Sequence, residues 1–128
     1  MFIIYKTMNL YKQILLSAIL MLVLDFIWIR YNINAYTSQT VQIQRIMMNV
    51  KPLAAILCYL FLIIGLNFFI LSRHRPWTEA LLLGLVIYGV YNTTSLAIYK
   101  KYTWKIACMD TLWGGTLFAT VTALIYNL

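Results

Sequence analysis

A chain of 128 residues, 63% hydrophobic and only 10% charged, has too little polar surface to cover a water-soluble globule of that size, which leaves a membrane protein. Its formal charge of +7 comes from ten Lys and Arg against three acidic residues, Asp25, Glu79 and Asp110. In a soluble protein that balance would suggest nucleic acid; here it marks chain ends facing lipid headgroups, and no nucleic-acid partner is expected.

A short head carrying Lys6 and Lys12 precedes an apolar run over residues 13–31. A signal peptide competes for this stretch. The run is too long for the apolar region of a typical signal, contains Asp25 and is not followed by a small-x-small cleavage site, so it reads as a first span. Residues 32–51 form the one sizeable polar stretch. In its second half Val41, Ile43, Ile46, Met47 and Val50 recur at roughly helical spacing beside Gln42, Gln44 and Arg45, which predicts a short helix lying on the membrane surface, with an ordinary loop as the alternative.

Pro52 suits the first turn of a second span over 52–72. The polar turn Ser72, Arg73, His74, Arg75, Pro76 leads into a third span over 77–99, and a hairpin at 100–104 into a fourth over 105–126. At 1.5 Å per residue each run crosses a hydrocarbon core of about 30 Å. Trp28, Tyr31, Trp77, Tyr99, Tyr102, Trp104 and Tyr126 lie near the ends, as an interfacial aromatic belt requires. The predicted fold is therefore all-α: a four-helix transmembrane bundle in one integral membrane domain over 1–128, with both termini on the same side and an interfacial helix between helices 1 and 2. The terminal side holds Lys6, Lys12, Arg73 and Arg75, the other side Arg30, Arg45, Lys51, Lys100, Lys101 and Lys105, and the larger count slightly favours cytoplasmic loops and outside termini.

The polar residues inside these runs fall at one depth. Asp25 lies about six residues before the exit of the first helix and Asn92 about seven before the exit of the third, on the same side; Tyr59 and Asp110 lie about seven and five residues inside the second and fourth, which enter from that side. Measured from the helix ends these depths are about 7 to 11 Å. Helical spacing puts Gly84, Tyr88, Tyr91, Asn92 and Ser95 on one face of the third helix, and Asp110, Trp113, Gly114 and Leu117 on one face of the fourth. Small residues there suit close packing in lipid. The candidate binding cluster is Asp25, Tyr59, Tyr91, Asn92, Ser95, Asp110 and Trp113, facing the side that carries Arg45, Lys51, Lys100 and Lys101, themselves candidates for anionic headgroups.

Several of these residues also carry a resemblance. The D-x-x-W of Asp25 and Trp28, the spacing of Pro52, Ala54, Ala55, Tyr59 and Gly65, the Tyr91, Asn92, Thr94, Ser95, Ala97 pattern and the D-x-x-W-G of Asp110, Trp113 and Gly114 together resemble a family of small four-span predicted membrane proteins of unknown function, with bacterial and large-DNA-virus members. The resemblance covers nearly the whole chain. It implies topology and residence in a cell or virus-derived membrane, and no activity. Asn92 stands where the resemblance leads one to expect Asp, and Ser95 where it leads one to expect Asn.

Each polar group has a structural reading beside a functional one. Asp110 can simply bond within the bundle, Asp25 can pair with Arg30, and buried tyrosines usually pack with a bonded hydroxyl. His74 lies in the opposite turn, so no metal site is expected; no Ser-His-Asp arrangement, phosphate loop or Cys-x-x-Cys is present, Cys58 and Cys108 read as small apolar side chains, and no cofactor is expected. The leading functional reading is binding or transport of a proton, cation or small solute at Asp25 and Asp110. The alternatives are a membrane enzyme acting on a lipid or isoprenoid-like substrate, with the carboxyls as acid and base, and a non-catalytic assembly subunit. No catalytic residue is assigned. A compact bundle of four helices leaves little room for an aqueous path, so transport would call for a homo-oligomer.

Overall fold

The computed structural model describes residues 9–44 and 51–128, and among them all regular structure is helical. We number the helices α1 (Leu10–Tyr31), α2 (Ile33–Gln44), α3 (Pro52–Leu66, continued by a π turn over Asn67–Leu71), α4 (Trp77–Ile98) and α5 (Trp104–Tyr126). Four of them, α1, α3 with its π turn, α4 and α5, are apolar enough and, at 22, 20, 22 and 23 residues, long enough to cross a membrane. The protein is a multi-pass integral membrane protein.

Local chemistry sets the ends. Asn9 accepts the Tyr11 N–H at 2.8 Å and so starts α1 three residues earlier than the apolar run alone predicts. Pro52 occupies the first turn of α3, as its missing N–H allows. Thr103 caps α5 by accepting the Ile106 N–H at 3.3 Å. His74 closes the turn between α3 and α4 at φ 52°, the left-handed region that few side chains adopt, and its ring lies over that of Tyr126.

The polar segment is helical earlier than expected. α2 takes in its first half and also residues 41–44, the opening of the stretch where a helix was expected. Periodicity pointed to the part where apolar residues recur; the earlier turns of α2 are fixed by tertiary bonds from Tyr36 and Gln39, which periodicity does not register. Residues 45–50, with Arg45, Ile46, Met47 and Val50, lie outside the described residues.

In lipid the usual arrangement inverts, and apolar side chains such as Leu15, Phe26, Phe61, Val90 and Leu112 point outward. α1 instead buries a stripe spaced every fourth residue, Gln13, Ser17, Met21 and Asp25, polar at both ends and apolar between. At one end of that stripe the Asn67 amide donates to Ser17 Oγ and to the Ile63 carbonyl, both at 2.9 Å, and Gln13 Nε2 donates to Asn67 Oδ1 at 3.4 Å. That clasp ties α1 to α3. Leu66, Leu71, Leu117, Phe118 and Val121 fill the centre, and Tyr126 donates to the Arg75 carbonyl at 2.6 Å, holding the end of α5 to the α3–α4 turn.

α4 and α5 approach most closely. A Cβ on Gly84 would stand 2.3 Å from the Gly114 carbonyl oxygen, and one on Gly114 would stand 2.1 Å from the Tyr88 ring, so neither position admits a side chain. Gly65 has nothing within 4 Å of such a Cβ. Gly84→Ala should therefore destabilise the protein by about 1–3 kcal/mol through overpacking, whereas Gly65→Ala, which improves helix propensity, should melt no lower than wild type; thermal unfolding in detergent compares the two.

With all four candidate spans crossing, Asn9 and Arg75 are expected on one side, and Ser38 and Lys101 on the other. Single cysteines at these positions, in a background with Cys58 and Cys108 replaced by Ala, should react with an impermeant thiol reagent from opposite faces of sealed vesicles, two and two. Labelling of the Asn9 and Arg75 positions from different faces would contradict this topology.

Candidate functional site

Asp25 and Trp28 stand one turn apart on α1, Asp110 and Trp113 one turn apart on α5, and the two helices run antiparallel. The two D-x-x-W pairs meet. Their indoles stack with centroids 4.7 Å apart and planes 4° from parallel. Each tryptophan serves the carboxyl of the other helix: Trp113 Nε1 donates to Asp25 Oδ1 at 2.9 Å, and Trp28 Nε1 donates at 2.9 Å to the Tyr36 hydroxyl, which in turn donates to Asp110 Oδ1 at 2.8 Å.

The second oxygen of each carboxyl is met from the remaining spans. The Tyr59 hydroxyl of α3 donates to Asp25 Oδ2, and Asn92 Nδ2 of α4 donates to Asp110 Oδ2 at 2.8 Å. Asn92 is fully buried; its amide also donates to the Tyr88 carbonyl at 2.8 Å, and its Oδ1 accepts the Tyr102 hydroxyl at 2.6 Å. Every carboxyl oxygen thus has a donor, and all of these donors are neutral. Among the described residues the one ion pair is Arg75 with Glu79, at the far end of the bundle, and Arg30 does not pair with Asp25.

α2 belongs to this arrangement. Gln39 Oε1 accepts both the Thr103 N–H at 2.8 Å and the Thr103 hydroxyl at 2.9 Å, which pins α2 to the α4–α5 hairpin and delivers Tyr36 to Asp110. Burial pushes the Tyr36 and Tyr102 hydroxyls well above the ordinary tyrosine range, so both remain donors at any physiological pH. Tyr36, Tyr102 and Trp28 are the members that the sequence reading did not place in the cluster. Trp28 was visible as part of D-x-x-W, and Tyr36 and Gln39 share a helix face at i, i+3, but nothing in spacing alone says that α2 folds back on the bundle.

The structure brings Asp25, Tyr59, Asn92, Asp110 and Trp113 into one hydrogen-bonded and stacked array. Tyr91 borders it from α4 with an exposed ring. Ser95 is buried one turn beyond and bonds neither carboxyl. Lys51, Lys100 and Lys101 are exposed near the same end, and Arg45 falls outside the described residues. Two cavities meet at Asp110 and Tyr91. One, of 320 Å³, is bordered by Asp25 and Asp110 and by an apolar wall of Cys58, Leu62 and Ile87 between α3 and α4. The other, of 420 Å³, lies on the α2 side. Among the described residues no three His, Cys, Asp or Glu side chains come together as a metal-ligand set.

The chain belongs to the family described as predicted membrane protein DUF2177, whose model matches residues 10–127. No curated protein and no solved structure matches it.

Because the Tyr36 hydroxyl both accepts from Trp28 and donates to Asp110, Tyr36→Phe leaves an indole N–H and a carboxyl oxygen without partners inside the bundle. The expected cost is about 1–3 kcal/mol. Tyr31→Phe, at an exposed ring, should change stability by less than about 0.5 kcal/mol. Unfolding curves in the same detergent measure both.

Proposed function

We propose that this membrane protein is an intramembrane binding site for a positively charged solute or a proton, with Asp25 and Asp110 supplying the counter-charge. One observation carries the reading: two carboxyls border a single largely apolar cavity, and among the described residues every hydrogen bond they receive comes from a neutral donor. A carboxylate in such surroundings is stabilised by donors but not neutralised, and two of them repel across the cavity. A ligand that brings positive charge removes both penalties. Among the described residues no lysine or arginine pairs with either carboxyl, so no cation of the protein takes the place proposed for the ligand.

The cavity also has an apolar wall, which favours a solute with greasy surface over a hydrated metal ion, since a metal ion needs several oxygen ligands in one shell. The position of Cys58, exposed on α3, puts the mouth of the cavity on the lipid side. Entry from the bilayer suits a solute that already partitions there.

Tetraphenylphosphonium, a lipophilic cation that cannot hydrogen-bond, tests the reading by equilibrium binding to the purified protein. Wild type should bind it, Asp25→Asn and Asp110→Asn should keep the circular dichroism of wild type and bind at least about tenfold more weakly, a loss of about 1.4 kcal/mol. Affinity should fall as pH falls, because protons and the cation compete for the same carboxyls. Wild-type affinity in both variants at every pH would sink the proposal.

A further inference from the structure

On the α2 side of Asp110 the second cavity, of 420 Å³, is bordered by four tyrosines, Tyr36, Tyr91, Tyr99 and Tyr102, with the Asp110 carboxyl at its inner end. Gln39, Thr40, Ile43 and Gln44 complete its described lining, and among the described residues no lysine or arginine borders it. We infer that this cavity is an aromatic cage for a quaternary ammonium group, with Asp110 as its counter-charge. The inference rests on the reading above in one respect, the ionised Asp110, and adds the chemical class of the ligand and the place where its charged end sits.

The composition of the walls is the argument. A quaternary ammonium ion has no N–H to donate and is weakly hydrated, so it gains little from the oxygen ligands that hold a metal ion or a lysine. It gains instead from the negative faces of aromatic rings within about 6 Å and from one nearby anion. The cavity offers that combination: four phenol rings from three different elements, α2, α4 and the α4–α5 hairpin, around a single carboxyl. Among the described residues no aromatic ring stacks on any of the four, so their faces are not already covered by another ring. The rings are also oriented by their hydroxyls: Tyr36 is bonded to Asp110 and Trp28, and Tyr102 to Asn92, which fixes where two of the walls stand. Tyr99 makes no such bond among the described residues and is 44% exposed, which places it at the mouth.

The setting fits an amphiphile. The cage adjoins the apolar cavity through Asp110 and Tyr91, so a ligand with its ammonium among the tyrosines can extend an apolar part toward Cys58 and Leu62. Lys100 and Lys101 lie between Tyr99 and Tyr102 in the chain and are exposed, where they can meet a phosphate attached to the ammonium. The shared chemistry is a trimethylammonium group, whether it belongs to a phosphocholine headgroup or to a free ammonium solute.

Calorimetric titration of the full chain in a non-ionic detergent distinguishes these sources. The probes are tetramethylammonium, choline and dihexanoylphosphatidylcholine, with neopentyl alcohol as the neutral isostere. Saturable binding of at least one ammonium probe, with none for the alcohol, is the expected result. Binding of the phosphatidylcholine alone identifies a lipid headgroup, and binding of all three ammonium probes identifies the ammonium itself as sufficient. Tyr99→Leu should weaken binding by about threefold to thirtyfold, while Tyr99→Phe, which keeps the ring, should stay within about twofold of wild type. Among the described residues the Tyr99 hydroxyl has no hydrogen bond to lose, and an unchanged melting temperature for both variants shows that the fold is not the cause. The cage is overturned if no ammonium probe binds, if neopentyl alcohol binds as well as tetramethylammonium, or if Tyr99→Leu binds like wild type. Tetraphenylphosphonium that still binds in an Asp110-dependent way when the ammonium probes fail removes the cage and leaves the carboxyl site standing; loss of tetraphenylphosphonium binding alone does the reverse.

Discussion

A carboxyl placed inside a bilayer has to be given hydrogen-bond donors by protein, because lipid has none to offer. On insertion scales a charged side chain at the centre of a spanning helix costs about 2.5–3.5 kcal/mol. Neither α1 nor α5 meets this need on its own. The tryptophan one turn from each aspartate serves the other helix, Trp113 directly and Trp28 through Tyr36, while the second oxygen of each carboxyl draws on α3 or α4. Satisfying two carboxyls thus recruits all four spans and α2. The groups that would react with a ligand are the same groups that hold the helices in register, so binding and stability are coupled at this end of the bundle.

The rest of the packing follows different rules at different depths. Toward the middle, Met21, Leu66, Leu117 and Phe118 make an apolar core, and α4 meets α5 through Gly84 and Gly114 at near-backbone contact. At the opposite end the Gln13, Ser17 and Asn67 clasp repeats the logic of the carboxyl site in uncharged form, with amides and a hydroxyl bonding one another. An uncharged clasp carries no electrostatic penalty and borders neither carboxyl cavity, which is consistent with a purely structural part. The carboxyl end differs in having two acidic groups with no cation paired to them among the described residues, and space beside them.

Depth was legible in the sequence because the helical rise is fixed: counting residues from the ends of the apolar runs was enough to bring Asp25, Tyr59, Asn92 and Asp110 to one level. The four spans were legible for the same reason, since lipid sets their length. Partnership was not. Which oxygen of Asp110 meets Asn92 and which meets Tyr36 depends on the rotation of each helix and on the path of α2, and α2 carries a weak apolar pattern whose folding is decided by two side chains, Tyr36 and Gln39. The clasp at Asn67 was hidden too. Gln13, Ser17 and Asn67 sit in runs whose average hydropathy swamps single polar residues, and only their spacing on α1, every fourth position with Met21 and Asp25, hints that they face inward.

The π turn at Asn67–Leu71 carries a consequence for the length of the chain. In it the Ser72 N–H reaches back five residues to the Asn67 carbonyl, at 2.8 Å, instead of four. Such a turn holds one residue more than an α-helical turn, and here it is the last turn of the span, followed directly by the turn into α4. Residue counting is strict elsewhere in these spans, because removing one residue turns everything beyond it by about 100° (a full turn holding 3.6 residues) and carries inward groups to the lipid face. At the π turn the surplus residue can be absorbed or given up with the helix before it, including the buried Leu62, Ile63 and Leu66, aimed as before, because only the turn into α4 lies beyond. Within α3 the chain is therefore tolerant in register at this one place, and the polar side chain that opens it, Asn67, is also the one that anchors it to α1.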